Sequence, residues 1–189
     1  MLSSHIASQI YKNFGFDPTP GQKTVVERLS RFIAEAPTDR TFILNGYAGT
    51  GKTTLVAALV RTLEEMGVPA VLLAPTGRAA KVMSRYAGRK AYTIHKKIYR
   101  QKTLASAESH FSLDYNKQKN AVFIVDEASM LSNYSPDGSL FGSGQLLDDL
   151  VTYVRRGAGC RLILVGDTAQ LPPVGLEHSP ALDMQHMQG

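Results

Sequence analysis

The sequence predicts an α/β domain of three layers, in which helices cover both faces of a mainly parallel sheet. Short apolar runs alternate along the chain with stretches in which apolar residues recur every three or four positions. The apolar runs lack the polar alternation of half-exposed strands, as expected for parallel strands that are buried on both faces. The 189 residues, 43% hydrophobic and 20% charged, suit one globular domain over residues 1–189 and exclude a mostly disordered chain.

The first predicted strand lies between two helical patterns. A short helix is predicted at residues 6–11, and a break rich in Pro and Gly follows it. Residues 22–35 carry apolar side chains at helical spacing, which predicts an amphipathic helix. Thr41–Asn45 is a short apolar run and therefore a predicted strand. A Gly-rich turn leads from this strand into a helix predicted over residues 52–66.

The same order of strand and helix continues along the rest of the chain. Ala70–Ala74 is a second apolar run, and a helix is predicted after it at residues 78–86. Residues 121–125 and 161–165 are two more apolar runs, with a helical pattern at residues 145–154 between them. Because ligands of such sheets bind at the carboxyl ends of the strands, we expect functional residues directly after each strand.

A phosphate-binding loop follows the first predicted strand. Residues 46–53 match the pattern G-x-x-x-x-G-K-[ST] in full, between a strand and a helix. Glycines let backbone N–H groups surround phosphates, and the helix N-terminus adds positive partial charge. Lys52 supplies a charge for the outer phosphates, and the Thr53 hydroxyl is a predicted Mg²⁺ ligand. The predicted nucleotide-binding residues of this loop are Gly46, Ala48, Gly49, Thr50, Gly51, Lys52, Thr53 and Thr54.

Polar residues also follow the two later strands. Asp126 stands where it can hold Mg²⁺, and Glu127 where it can polarise a water for attack on the γ-phosphate. For an acidic pair alone, a surface turn is the alternative. Gln170 lies in a Gly-Asp-x-x-Gln turn, where it either orients the water or belongs to an ordinary turn. A water-activating glutamate favours hydrolysis over phosphate transfer to a small substrate.

The positive charge of the chain is concentrated in one stretch. The formal net charge is +5, and nine of the 21 Lys and Arg residues lie between Glu65 and Glu108, where no Asp or Glu occurs. Such a concentration is typical of a surface that binds nucleic acid, with a solvated helix face as the alternative. One cysteine, no apolar run near the ~20 residues of a membrane span and no signal-peptide pattern predict a cytoplasmic protein without a membrane partner.

Taken together, these motifs resemble the first motor domain of superfamily-one DNA helicases, of the group typified by RecD and the phage Dda helicase. The matches follow the family's order from about residue 17 to 175, and the double proline of motif III is among the most specific. They comprise the Q motif at residues 19–22, motif I at 46–54, motif Ia at 74–81, motif Ib at 93–97, motif II at 125–130 and motif III at 166–174.

This resemblance implies a RecA-like P-loop NTPase domain of a motor that uses ATP and Mg²⁺ and moves along single-stranded DNA, with 5′ to 3′ polarity expected. It implies that Gln22 reads the adenine edge and that Lys52, Glu127 and Gln170 serve catalysis. The implied DNA contacts, all in the basic stretch or at its border, are Pro75, Thr76, Arg78 and His95. The arginine of this set is alternatively a solvated helix residue, and the histidine a helix-end side chain bonded to backbone.

No part of the sequence after residue 174 resembles motifs IV to VI. We therefore expect an N-terminal piece of a longer helicase, whose second motor domain supplies an arginine finger, with recombination or repair subunits as further candidate partners. Residues 103–120 and 132–144 are expected to be loops. Two alternatives are a P-loop small-molecule kinase or phosphotransferase and a nucleotide- or DNA-binding module without turnover. A kinase leaves the basic stretch and the Gly-Asp-x-x-Gln turn unexplained.

Overall fold

The computed structural model describes residues 1–102, 110–132, 141–167 and 179–182. The strands within these residues are β1 (Thr41–Asn45), β2 (Ala70–Ala74), β3 (Ala91–Thr93), β4 (Tyr99–Lys102), β5 (His110–Leu113), β6 (Val122–Val125) and β7 (Arg161–Gly166). Five of them form one sheet in the order β1-β7-β6-β2-β3, and every neighbouring pair in it is parallel. Strands β4 and β5 form a separate antiparallel pair.

Helices cover both faces of the five-stranded sheet. They are α1 (Leu2–Phe14), α2 (Pro20–Glu35), α3 (Lys52–Glu65), α4 (Gly77–Ala87), α5 (Ile94–Ile98) and α6 (Leu146–Arg155). Short 3₁₀ turns lie at Ala128–Met130 and Pro180–Leu182. Among the helices of the described residues, none has both the length and the apolarity that crossing a lipid bilayer requires.

Two apolar cores lie on opposite faces of the sheet because successive strand residues point to opposite faces. On β6, Ile124 packs in the core formed with α1 to α4, whereas Val125 packs in the core formed with α5 and α6. Ile163 and Leu164 of β7 divide in the same way, and all four side chains are at most 1% exposed. This burial on both faces explains the unbroken apolar runs. The predicted three-layer α/β architecture with a parallel sheet is confirmed.

The structure corrects the prediction in the segment between α4 and β6. Strand β3 and helix α5 are too short to give a periodic pattern, and the sequence did not predict them. Part of the expected loop at 103–120 is β5, which pairs with β4. Residues 103–109 of the first expected loop and residues 133–140 of the second lie outside the described residues. The first helix is also longer than predicted, since it extends over Leu2–Phe14.

Candidate nucleotide and DNA site

The carboxyl ends of the five parallel strands bring the predicted site residues to one edge of the sheet. The phosphate loop follows β1, Asp167 follows β7, and the pair Asp126 and Glu127 follows β6. The predicted DNA contacts follow β2 and β3, whose last residues are paired in the sheet. The strand order therefore places the phosphate-binding residues toward one end of this edge and the DNA candidates toward the other.

In the phosphate loop, backbone carbonyls hold the lysine side chain. Nζ of Lys52 donates to the carbonyl oxygen of Gly46 and, at 2.7 Å, to that of Tyr47. The same nitrogen lies 4.0 Å from Oδ2 of Asp167. The turn depends on left-handed backbone at Gly49 and Gly51, with φ of 79° and 85°. Glycine adopts this conformation without steric cost, which explains the glycines of the motif.

Gln22 connects the start of α2 to the phosphate loop. Its side-chain oxygen accepts from the backbone N–H of Thr19, and the Thr19 hydroxyl accepts from the backbone N–H of Gln22 at 3.3 Å. This reciprocal pair is a capping box, which begins the helix. Nε2 of Gln22 also donates to the carbonyl oxygen of Thr50 at 3.1 Å. One amide hydrogen and one oxygen lone pair of the Gln22 side chain remain available for a ligand. The contact of Gln22 with adenine stays a prediction.

We expect Gly51→Ala to weaken nucleotide binding strongly. A Cβ at this position would come within 2.6 Å of Nε2 of Gln22, and the φ of 85° is itself unfavourable for alanine. Gly67→Ala is the matched control, because Gly67 also has positive φ, at 67°, but has open space around it. Both variants should lose about 1–2 kcal/mol from backbone strain, and only Gly51→Ala should lose nucleotide affinity in a fluorescent-ATP titration. Equal affinities in the two variants would contradict this role for Gly51.

The acidic pair and Lys52 line the same cleft, which has a volume of about 420 Å³. Glu127 has left-handed backbone, with φ of 55°, which is uncommon outside glycine and is often found at functional sites. Burial raises the pKa of Glu127, and the nearby carboxylates of Asp126 and Asp167 raise it further, while Lys52 lowers it. A glutamate with a raised pKa is a better proton acceptor, as a general base requires.

Asp167 is a member of this site that sequence analysis did not single out. It is 3% exposed and lines the same cleft as Lys52, Asp126 and Glu127. The available signal was its place directly after a buried strand, in the Gly-Asp-x-x-Gln turn. The predicted catalytic Gln170 of that turn lies outside the described residues.

The oxygen atoms in the cleft fit a Mg²⁺ ion that is held mainly by nucleotide phosphates. Its lining includes the Thr53 hydroxyl and the carboxylates of Asp126, Glu127 and Asp167, and oxygen ligands are those that Mg²⁺ prefers. Across the described ranges, no group of three or more His, Cys, Asp or Glu side chains is placed to hold a metal alone. A Mg²⁺ ion bound through phosphates and waters needs only one or two protein carboxylates.

A second cleft, of about 440 Å³, lies between the start of α2 and the phosphate loop. Its walls include the apolar side chains of Val25, Leu44 and Leu55, together with Gln22. A cleft with apolar walls that two amide residues, Gln22 and Asn45, also line suits a flat heterocyclic ring with hydrogen-bonding edges.

The predicted DNA contacts divide between two neighbouring elements. Pro75, Thr76 and Arg78 lie where β2 ends and α4 begins, and the Thr76 hydroxyl accepts from the backbone N–H of Ala79 as the helix cap. Arg78 is exposed in the first turn of α4. His95 lies on α5, packs against the rings of Tyr99 and Phe141, and is half-buried. Burial lowers the pKa of His95, which favours a neutral imidazole.

A hydrogen bond that the sequence did not predict joins the two parts of the site. The Tyr86 hydroxyl, on α4, donates to Oδ2 of Asp126 at 2.6 Å. Burial raises the pKa of Tyr86, and the Asp126 carboxylate raises it further, so this phenol remains a donor. The two residues are 40 positions apart, and the packing of α4 on β2 and β3, with β2 next to β6 in the sheet, brings them together.

Comparisons with known proteins agree with the motifs. A family model described as AAA domain matches residues 18–188. The chain is 32% identical over 160 residues to the ATP-dependent RecD2 DNA helicase of Deinococcus radiodurans, which is 83% of this chain and 19% of that protein. It is 33% identical over 165 residues to the ATP-dependent DNA helicase dda of Enterobacteria phage T4, 84% of this chain and 33% of that protein.

Among solved structures, the Pif1 helicase of Candida albicans matches with a TM-score of 0.49 and 19% identity, over 84% of this chain and 34% of the other. The chain thus spans well under two thirds of the length of each of these relatives. Because the family model matches nearly the whole sequence, the chain belongs to the AAA domain family, and its resemblance to helicases of the RecD and Dda group is confirmed.

Proposed function

We propose that residues 1–189 form the first motor domain of an ATP-dependent DNA helicase. The domain binds ATP with Mg²⁺ and single-stranded DNA, and the longer protein couples hydrolysis to translocation in the 5′ to 3′ direction. The observation that carries this proposal is the order of the strand ends. Phosphate-binding and acidic residues follow β1, β7 and β6, and the basic stretch without acids includes the ends of β2 and β3.

Each residue of the nucleotide site has a separate part in hydrolysis. The loop amides and Lys52 bind the phosphates, and the apolar cleft beside Gln22 receives the adenine ring. Thr53 and Asp126 hold Mg²⁺, which when bound neutralises charge that develops on the phosphates. Glu127 accepts a proton from the attacking water, and the raised pKa of this carboxyl supports that role. Gln170 orients the same water.

The second motor domain of the longer protein completes the ATP site. An arginine finger from such a domain stabilises the transferring phosphoryl group and raises the rate by about 10³–10⁵. The chain alone should therefore bind nucleotide and hydrolyse it slowly. The relatives that span several times this length, among them the RecD2 helicase, support the presence of further domains in the complete protein.

ATP hydrolysis with and without single-stranded DNA tests this function, measured on this chain and on the full-length protein side by side. DNA should stimulate the full-length protein, and the chain alone should be slow. Hydrolysis without any response to DNA, together with phosphate transfer to a small acceptor, would instead indicate a phosphotransferase. Nucleotide binding without turnover in either protein would indicate a binding module.

We expect Arg78→Ala to weaken binding of single-stranded DNA and to reduce its salt dependence. Each phosphate contact with a single strand contributes about 0.7 to the slope of log affinity against log salt. Titration of a fluorescent oligonucleotide at several salt concentrations should show that loss. Arg31→Ala, an exposed arginine of α2, is the matched control and should leave the slope unchanged. If the salt dependence of DNA affinity has the same slope in both variants, Arg78 does not contact DNA phosphates.

A further inference from the structure

Helix α4 carries a predicted DNA contact near its start and a contact with the metal-binding aspartate near its end. Arg78 lies in the first turn and Tyr86 in the last, eight positions apart, a distance of about 12 Å along the helix axis. The side chains of Met83 and Ala87 anchor the same helix in the core beneath the sheet. If α4 moves as one rigid unit, a displacement at its start also displaces Tyr86.

Three hydrogen bonds hold Asp126, one at its backbone and two at its carboxylate. Its backbone N–H donates to the carbonyl oxygen of Leu73 at 3.0 Å, which continues the pairing of β6 with β2. Oδ1 accepts from the backbone N–H of Glu127 at 2.9 Å, and Oδ2 accepts from the Tyr86 hydroxyl at 2.6 Å. A carboxylate has about four acceptor positions, so two remain for a Mg²⁺-bound water. Of the three contacts, only that from Tyr86 comes from an element outside the sheet edge.

We propose that Tyr86 is a positioning residue that orients Asp126 toward Mg²⁺ and makes this orientation depend on DNA bound at the start of α4. The inference rests on the proposed function, since it assumes that the nucleotide and DNA sites are occupied as described there. Single-stranded DNA and Mg²⁺-ATP then assist each other's binding through α4. Such coupling must be reciprocal, because each ligand changes the affinity of the other by the same factor.

The contact is well suited to this task. A hydrogen bond to a carboxylate is roughly twice as strong as one between neutral groups. Partners that orient a metal ligand typically contribute about 10- to 100-fold to metal affinity or activity. A small movement of α4 thus changes the metal site without any change in the phosphate loop. Lys52 and the loop amides, which bind the phosphates directly, have no contact with Tyr86 among the hydrogen bonds of the described residues.

Tyr86→Phe tests the proposal, because it removes only the hydroxyl group. The measurement is the Mg²⁺ concentration that gives half-maximal tight binding of a fluorescent ATP analogue to the full-length protein, with and without single-stranded DNA. In the unmodified protein, DNA should lower this concentration. In Tyr86→Phe it should be about 10-fold higher and independent of DNA. Binding of the analogue in EDTA should not change.

Two variants control for unrelated effects. Ser84→Ala removes a hydroxyl from the same helix, one that accepts from the backbone N–H of Ala91 at 2.8 Å and has no contact with Asp126. Tyr11→Phe removes a phenol hydroxyl on α1, which donates to the carbonyl oxygen of Lys23. Both should retain the Mg²⁺ requirement and its response to DNA. Thermal unfolding without nucleotide checks that all three variants are folded.

The outcomes separate the inference from the proposed function. A Tyr86→Phe protein with the Mg²⁺ requirement and DNA response of the unmodified protein overturns the positioning role and leaves the helicase function intact. A raised requirement that still responds fully to DNA overturns the coupling through α4. If the unmodified protein binds neither Mg²⁺-ATP nor single-stranded DNA, the proposed function itself fails.

Discussion

Lys52→Ala is expected to weaken ATP binding by about 10- to 150-fold, because a hydrogen bond to a charged group is worth about 1.5–3 kcal/mol. Nζ of Lys52 lies among the carbonyl oxygens of Gly46 and Tyr47, at the mouth of the loop that receives the phosphates. Turnover should fall further, by about 10²–10³, since the same charge stabilises the transferring phosphoryl group. Isothermal titration with ATP and a phosphate-release assay measure the two effects.

Removal of this lysine also changes its neighbours in a way that the structure predicts. Asp167, 4.0 Å from Nζ and 3% exposed, loses its ion pair with Lys52, so the negative charge of its carboxylate is no longer offset by that lysine. That charge repels the nucleotide and adds to the loss of affinity. Lys119→Ala, an exposed lysine in the loop before β6, is the matched control. Normal ATP affinity in Lys52→Ala would show that the phosphate loop does not bind ATP.

Features that depend on local sequence were predicted well. Strands β1 and β2 begin and end at the predicted residues, because an apolar run bounded by polar residues is a local pattern. The phosphate loop and the acidic pair were placed correctly at strand ends, since in a parallel sheet all carboxyl ends share one edge. For Gln170 to lie near the γ-phosphate, its strand must neighbour the strand that leads to Asp126. The pairing of β7 with β6 meets this condition, although Gln170 itself is outside the described residues.

Features that depend on tertiary packing were not predictable from the sequence. Strand β3 has three residues, and pairing with β2 rather than intrinsic pattern fixes it. The hydrogen bond from Tyr86 to Asp126 joins residues 40 positions apart, and no sequence motif encodes it. Gln22 was assigned to adenine from the resemblance alone. Its bond to the carbonyl oxygen of Thr50 depends on the position of α2 beside the loop, which the sequence does not encode locally.

Glu127→Gln is expected to leave ATP binding nearly unchanged and to lower the hydrolysis rate by about 10²–10⁴, the usual contribution of a general base. Glutamine preserves the size and shape of the side chain and tolerates the same left-handed backbone no better and no worse. It lacks the negative charge of the carboxylate and the ability to accept a proton. ATP titration and single-turnover hydrolysis in the full-length protein, with single-stranded DNA present, separate binding from chemistry.

The result also discriminates between the function classes. Phosphate transfer to a small acceptor that persists in Glu127→Gln while hydrolysis is lost would indicate a phosphotransferase. In a motor, the variant should hold ATP and DNA together without turnover, and DNA affinity in the presence of ATP should persist. Glu27→Gln, the same substitution on the exposed side of α2, is the control and should hydrolyse ATP normally. If Glu127→Gln also hydrolyses ATP normally, another group accepts the proton of the attacking water. Asp167, which is buried in the same cleft, is then the next residue to substitute.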